Sequence, residues 1–123
     1  SMTAEGLLCR QYLGWKHDDP RLVRGANIVG ENPMNWNEQD VYYWYYATQA
    51  LHQAGGSRWD RWNKHMRDVL VQAQVSRGTH AGSWNPGHQH SRTGGRVYTT
   101  ALATCTLEVY YRHLPIFRQI KLD

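Results

Sequence analysis

Residues 72–84 read QAQVSRGTHAGSW, and this stretch marks where one predicted helix ends and the chain turns. Polar Gln72 and Gln74 close the helical pattern, and a single large aromatic residue, Trp84, follows Gly82 by two positions. A glutamine amide and a tryptophan indole both offer hydrogen-bond donors to backbone groups. The stretch therefore predicts a corner between two helices that is held by an amide and an indole.

Helix signals recur on both sides of this corner. Asp19 before Pro20 is typical of a helix start, and so is Asp40, three residues after Asn37. Gly55 and its neighbouring glycine indicate a helix end. The apolar periodicity between such signals predicts an all-α fold with five helices, over residues 3–15, 20–30, 41–54, 57–74 and 97–114. The run from 77 to 95, rich in glycine and histidine, is predicted to be a long loop.

Helical spacing also predicts which side chains face the core. In the first helix these are Leu7, Leu8, Tyr12 and Trp15. In the fourth they are Trp59, Trp62, Met66, Val69, Leu70 and Ala73, and in the fifth Tyr98, Leu102, Cys105 and Val109.

Length and composition favour one globular domain. The chain has 123 residues, a 41% hydrophobic and a 20% charged fraction, and no apolar run long enough to span a membrane. Its formal charge of +4 comes from scattered basic residues, which argues against a nucleic-acid groove. The chain has six Trp and eight Tyr but one Phe. Aromatic side chains that carry a polar group suit partly solvated cavity walls and interfaces. Localisation is not readable from these features.

The chain divides into three parts by pattern. Residues 1–2 are expected to be a cloning remnant, residues 3–115 the domain, and residues 116–123 a C-terminal tail. Cys9 and Cys105 lie within apolar helical patterns and form no Cys-x-x-Cys pair, so buried free thiols are expected ahead of a disulfide.

The first, third and fifth predicted helices share apolar and small residues, whereas the second and fourth carry more charge. This alternation predicts inner and outer helices stacked as α-hairpins about a curved axis. With Gln74, Gly82 and Trp84, the segments YYWYYATQALHQAGG, RWNKHMRDVL and GGRVYTTALATCTLEVYYRHLP resemble squalene-cyclase and prenyltransferase repeats. In bacteria, notably planctomycetes, such domains occur in proteins of unassigned activity.

The resemblance implies a partial α/α toroid with Gln74, Gly82 and Trp84 as structural residues of the repeat. In that family the glutamine amide bonds exposed backbone at a helix end, and the tryptophan ring packs beside it. Five helices make fewer hairpins than a closed ring, so the resemblance also implies a homodimer or flanking domains that complete the toroid.

The chemical groups of the family's enzymes have no clear match here. The cyclases use an Asp-x-Asp-Asp acid, but Asp18 and Asp19 precede Pro20 and are better explained as a helix cap. The prenyltransferase zinc set has no convincing counterpart. His80, His88 and His90 form a His-x-His fragment with one further histidine, which is a weak metal candidate without a further ligand. No cofactor is expected.

Asp40 is the catalytic candidate, as an acid beside an aromatic cavity, and helix capping is the alternative explanation of the same residue. The consecutive rings of residues 42–46 must point around the helix, so some face a cavity or a partner. The candidate ligand-binding residues are Tyr42, Tyr43, Tyr46 and Tyr98. Packing between helices is the alternative explanation of these rings.

The sequence thus favours a non-catalytic binding or assembly module that holds a protein partner or an apolar small molecule. The alternative is an isoprenoid-processing enzyme, or a fragment of one, with an aromatic-lined pocket.

Overall fold

The computed structural model describes residues 1–87 and 89–112, together with the side chains of these residues except 89 and 90. The described part of the chain is helical and contains no strand, which confirms the predicted all-α class and its five helices. The α-helices are α1 (Met2–Tyr12), α2 (Pro20–Gly30), α3 (Val41–Ala54), α4 (Gly56–Ala73) and α5 (Gln89–Arg112), with a short 3-10 helix at Trp36–Glu38.

The helix boundaries follow the signals in the sequence. The Asp19 side chain accepts a hydrogen bond from the backbone N–H of Arg21, and Pro20 occupies the first turn of α2. Gly55 takes a positive φ of 66° and separates α3 from α4, a conformation that suits glycine. Gly14, with φ 81°, follows the end of α1. The first helix is therefore shorter than the predicted 3–15.

Helix α3 packs against both α1 and α5, and contacts near the helix ends show that the three run parallel. Gln11 near the end of α1 donates to the Ala50 carbonyl near the end of α3 at 3.0 Å. His52, also near the end of α3, lies with its ring centroid 6.4 Å from that of Tyr110 near the end of α5. The carboxyl ends of these three helices therefore lie on one side of the molecule.

The other two helices run antiparallel to this group. The Tyr43 hydroxyl at the start of α3 donates to the Val29 carbonyl at the end of α2, at 3.2 Å. Trp59 at the start of α4 packs its ring against His52 at the end of α3, with centroids 4.6 Å apart. Helix α2 packs against α1 and α3, and α4 packs against α3 and α5.

Helix α3 lies at the centre of the fold and packs against all four other helices. Its residues 47–53 are all buried, and Leu51 is fully enclosed. The largest side chains buried around α3 include those of Trp44, Trp62, Met66 and Leu70. Burial of each such side chain contributes about 1.5–3 kcal/mol relative to exposure.

The buried side of α1 differs from the predicted one. The structure buries Ala4, Leu7, Leu8 and Gln11, which recur at helical spacing, and leaves Tyr12 55% exposed. The placement of Tyr12 in the core was therefore wrong, because the amide of Gln11 finds a backbone partner inside. Cys9 lies off the buried side and is exposed, so the expectation of a buried thiol was wrong there; Cys9 and Cys105 are both free.

Helix α5 also departs from its prediction. It begins at Gln89, within the predicted loop, and bends at Gly95, where φ is 72°. Its most buried side chains are those of Ser91, Thr99, Ala103, Thr106 and Val109, one position away from much of the predicted stripe. Threonine is tolerated inside because Thr99 and Thr106 each donate to the carbonyl four residues earlier.

Within residues 1–87 and 89–112, no helix is both long enough and apolar enough to cross a membrane.

Candidate functional site

A cluster of tyrosines lies at the amino end of the parallel helices. The rings of Tyr42 and Tyr46, one turn apart on α3, meet edge to face with centroids 4.9 Å apart. The ring of Tyr45 contacts Tyr46 at 5.3 Å. Tyr46 also contributes, after burial and Asp40, to the raised pKa of Tyr98 of α5. We call Tyr42, Tyr46 and Tyr98 the tyrosine face.

The tyrosine face has carboxylates beside it. Interaction with the Tyr46 hydroxyl, followed by desolvation and the Glu5 carboxylate, raises the pKa of Tyr42 to about 12. Burial, with the Asp40 carboxylate and Tyr46, raises the pKa of Tyr98. Glu5 belongs to α1 and Asp40 directly precedes α3. The carboxylate that acts on Tyr42 and the one that acts on Tyr98 therefore come from separate parts of the chain.

Asp40 acts as the cap of α3. Its Oδ1 accepts a hydrogen bond of 2.9 Å from the backbone N–H of Tyr43. Asp40 and Tyr43 also line a solvent-open cleft of about 270 Å³ between the starts of α1 and α3 and the end of α2. The carboxyl is thus held in a helix-capping geometry beside the aromatic residues.

Tyr43 lies apart from the tyrosine face. Its hydroxyl is 3.2 Å from both the Val29 and Asn32 carbonyls, and its ring meets Trp62 edge to face at 6.4 Å. Burial, with a contribution from Asp40, raises its pKa to about 12. Of the four candidate tyrosines, Tyr42 and Tyr46 are therefore in ring contact with each other, and Tyr43 ties α3 to the end of α2.

Gln49 lies on the same side of α3 as the tyrosine face, one turn after Tyr46. Its side chain is 5% exposed, so Gln49 is a buried polar neighbour of the tyrosine face. The buried side-chain atoms that lack a hydrogen-bond partner among the described residues belong to other residues, and they include Gln11 Oε1 and Asn63 Oδ1. The sequence interpretation missed Gln49 and also Glu5. The signal available for Gln49 was its spacing of three residues from Tyr46 and seven from Tyr42.

The corner predicted from the sequence is held by hydrogen bonds to backbone groups. The Gln74 amide donates to the Gly82 carbonyl at 2.9 Å, and Gly82 takes a left-handed φ of 85°. The Trp84 ring is 3% exposed, and its Nε1–H donates to the Leu70 carbonyl in the last turns of α4 at 2.7 Å. The Trp84 backbone N–H donates to the Thr100 hydroxyl at 3.2 Å. We call Gln74, Gly82 and Trp84 the corner.

A second glutamine, Gln39, forms hydrogen bonds with the backbone of the segment that follows the corner. Its Nε2 donates to the Asn85 carbonyl at 3.0 Å, and its Oε1 accepts from the Gly87 backbone N–H at 2.7 Å. Gln39 is 5% exposed, so both halves of a buried amide are paired. The sequence interpretation missed Gln39, because neither partner lies near it along the chain.

The three histidines of the candidate metal site do not all lie within the described part of the structure. His80 is exposed, and its carbonyl accepts from the Ser83 hydroxyl at 2.6 Å. His90 lies in the first turn of α5, and His88 falls outside the described residues. Among the residues that the structure describes, no three His, Cys, Asp or Glu side chains are grouped as metal ligands.

The groups at the tyrosine face are of the kind that bind a ligand. It offers aromatic rings, phenol hydroxyls that stay protonated at neutral pH, nearby carboxylates and a buried amide. Such groups bind a ligand by ring contact, charge and hydrogen bonds. No protein-family model, no curated protein and no solved structure matches this chain.

Proposed function

We propose that this protein is a non-catalytic binding module, built as an arc of a squalene-cyclase-like α/α toroid, and that the tyrosine face is its ligand-binding surface. The observation that carries the proposal is the edge-to-face contact of Tyr42 and Tyr46 on α3, with Tyr42 36% exposed. Rings that only packed between helices would be covered by their neighbours, whereas solvent reaches Tyr42.

The arc is supported by the directions of the helices. Parallel neighbours α1, α3 and α5, with antiparallel α2 and α4 packed across them, repeat one helix-hairpin unit along the chain. Such units stack in one dimension and leave an open edge at each end. Several apolar or aromatic side chains are more than three-quarters exposed, namely Met2 in α1, Leu13 just after α1, and Val97 and Tyr111 in α5. A second copy or a flanking domain would cover these edges.

Native mass spectrometry of the purified protein tests the assembly part of the proposal. A dimer or larger ring would support closure by copies of this chain, and a retained small molecule would identify the ligand directly. A bare monomer at every concentration would contradict closure by self-association.

Saturation-transfer NMR with phenol, cyclohexanol, tetramethylammonium and benzoate tests ligand binding. We expect at least one of these probes to bind, and to lose binding in Tyr42→Ala and Tyr46→Ala variants. Tyr111→Ala removes an 84% exposed ring elsewhere and is the matched control. Binding that is absent for all four probes, or that persists in both tyrosine variants, would contradict the proposed function.

An isoprenoid-processing enzyme is the second candidate, because Asp40 lies within electrostatic reach of both Tyr43 and Tyr98. Its hydrogen bond to the Tyr43 backbone already gives the carboxyl a structural role. The enzyme candidate requires turnover of an isoprenoid diphosphate or a polyene by the native protein. It also requires that turnover to be lost in Asp40→Asn, which keeps a good helix cap.

A further inference from the structure

A solvent-open cleft lies at the carboxyl end of α1, whereas Tyr42 of the tyrosine face lies at the start of the parallel helix α3. The last turn of α1 and the loop that follows it form the walls of this cleft, whose volume is about 480 Å³. The walls include Gln11, Tyr12, Trp15, Lys16 and Asp18. A cleft of this size, lined by rings and by a few polar groups, accommodates a small-molecule ligand.

A second, smaller cavity adjoins the cleft, because Gln11 and His17 line both. We call it the inner cavity, and its volume of about 20 Å³ gives room for one water-sized group. Arg58 supplies a charged wall, and apolar walls come from Leu22, Val23, Ala26 and Ala54. The cleft and the inner cavity together therefore offer a wide mouth and a narrow end that holds a single polar group.

The amide of Gln11, which separates the two spaces, has a partner for only one of its two ends. Its Nε2 donates to the Ala50 carbonyl at 3.0 Å, and its Oε1 is buried without a hydrogen-bond partner among the described residues. The whole residue is 3% exposed. A buried acceptor left unpaired costs about 1–3 kcal/mol. Because the bond to Ala50 fixes which end of the amide is the nitrogen, the missing partner is a hydrogen-bond donor.

The charges around Gln11 favour a hydroxyl as that donor over an ammonium. Arg58 lines the inner cavity, and its guanidinium, which donates to Asn27 Oδ1, repels a second cation placed there. At the mouth, Lys16 and Asp18 are both exposed and carry opposite charges, so they offer a donor and an acceptor together. A hydroxyl both donates and accepts, so a neutral ligand with several hydroxyls matches each of these groups.

The rings of the mouth provide the apolar part of the site. Tyr12 is 55% exposed, so its ring is open to a ligand. Trp15 is half-buried, and the Arg21 guanidinium lies 4.1 Å from the centroid of its ring. The negative face of an aromatic ring attracts the C–H groups of a saturated ring. Tyr12 is therefore the ring wall of the mouth that a saturated, hydroxylated ring can contact.

We infer that the cleft at the end of α1 is a second binding site and that its ligand is a neutral sugar of about one ring. One hydroxyl enters the inner cavity and donates to Gln11 Oε1, the other hydroxyls meet Lys16 and Asp18, and the C–H face lies against Tyr12. The exposed side chain of His17 is a wall of both spaces, and its movement joins them and uncovers the Gln11 amide. This site is separate from the tyrosine face and goes beyond the proposed function.

Saturation-transfer NMR of the native chain with glucose, galactose, mannose and N-acetylglucosamine tests the inference. We expect at least one of these sugars to bind. In nitrogen-15 spectra, the bound sugar should shift the side-chain amide resonances of Gln11, because the ligand hydroxyl bonds the oxygen of the same amide. Loss of these resonances in Gln11→Met assigns them, and assignment by triple-resonance spectra replaces this step if that variant does not fold.

Variants of exposed wall residues locate the bound sugar without disturbing the core. Lys16→Ala removes a charged donor and should weaken sugar binding several-fold. Tyr12→Ala removes the open ring of the mouth and should also weaken binding several-fold. Leu13→Ala is the matched control, because Leu13 belongs to the same loop, is 78% exposed and lies outside the cavity walls. It should bind the sugar as the native chain does.

Two results would overturn the inference. Binding of none of the four sugars would do so, and would leave a single buried water as the partner of Gln11 Oε1. Sugar binding that does not shift the Gln11 amide, or that is unchanged in both Lys16→Ala and Tyr12→Ala, would mean that the sugar lies elsewhere. These sugars differ from the four probes of the tyrosine face, so either proposal can fail while the other stands.

Discussion

The corner and the tyrosine face are both built around aromatic rings, but they differ in burial. At the corner and beside it, Trp84 is 3% exposed, and the indole N–H of Trp84 and both halves of the Gln39 amide have backbone partners. At the tyrosine face, Tyr42 is 36% exposed and meets Tyr46 by an edge contact. Buried and paired groups hold the fold together, and exposed rings are available to a ligand.

The comparison predicts the largest loss of stability at Trp84. Trp84→Ala should lower the free energy of unfolding by about 3–5 kcal/mol, because it removes a buried indole and leaves a cavity. Trp84→Phe should cost about 1–3 kcal/mol, since the Leu70 carbonyl loses its donor. Urea denaturation measures both. Tyr42→Phe is the counterpart at the tyrosine face and should change stability by less than about 0.5 kcal/mol. Equal losses at Trp84 and Tyr42 would remove the distinction between the two regions.

Replacing Gln39 tests whether the paired amide stabilises the chain that follows the corner. Gln39→Met keeps the side-chain length and breaks the bonds to Asn85 and Gly87, so it should cost about 1–3 kcal/mol. Gln74→Met removes one bond from an exposed side chain and should cost less than about 1 kcal/mol. Thermal unfolding followed by circular dichroism ranks the two variants, and a loss in Gln74→Met as large as in Gln39→Met would remove the difference between the buried amide and the exposed one.

Asp40 shares features of both regions, because it caps α3 and lies beside the tyrosines. Asp40→Ala should cost about 1 kcal/mol, and Asp40→Asn only a few tenths, because asparagine caps a helix as well as aspartate does. Chemical denaturation of the two variants checks this order. A loss in Asp40→Asn as large as in Asp40→Ala would mean that the charge, and not the cap, is what stabilises α3.

The smallest effect is expected in the titration of the tyrosines. The pKa values of Tyr42 and Tyr43 are raised to about 12, against about 10 in an unfolded chain. Their contribution to stability is therefore complete below about pH 10 and is lost as pH rises toward about 12. Ultraviolet absorbance should show a late phase of tyrosine ionisation that shrinks in Tyr42→Phe and in Tyr43→Phe. Ionisation of all eight tyrosines in one step near pH 10 would contradict the shifts.

The predicted corner illustrates what short-range pattern can reveal. Trp84 and Gln74 lie within one stretch of sequence, and the structure places both against backbone of that stretch or of the helix before it. Gln39 could not be recognised in the same way, because its partners are more than forty residues away and nothing in their identity announces the contact.

The candidate site was predictable in part for the same reason. The run of residues 42–46 on a helix required some rings to leave the core, and Tyr42 and Tyr46 share one side by spacing. That Tyr98 joins them while Tyr43 turns to the end of α2 depends on how α5 and α2 pack on α3. Helical period describes one helix at a time and carries no information on which neighbour covers each side.

The sequence by itself determined the helical class, the ranges of α2 and α3, and the buried stripe of α4, because caps, glycines and apolar spacing act within a few residues. Only the tertiary structure decided that Gln11 is buried in place of Tyr12 and that threonines of α5 enter the core. It alone decided that Glu5 lies within electrostatic reach of Tyr42 and that Asp40 lies within reach of Tyr98. These outcomes depend on how the helices pack together, as the bond from Gln11 to the Ala50 carbonyl of another helix shows, and spacing within one helix does not carry that information.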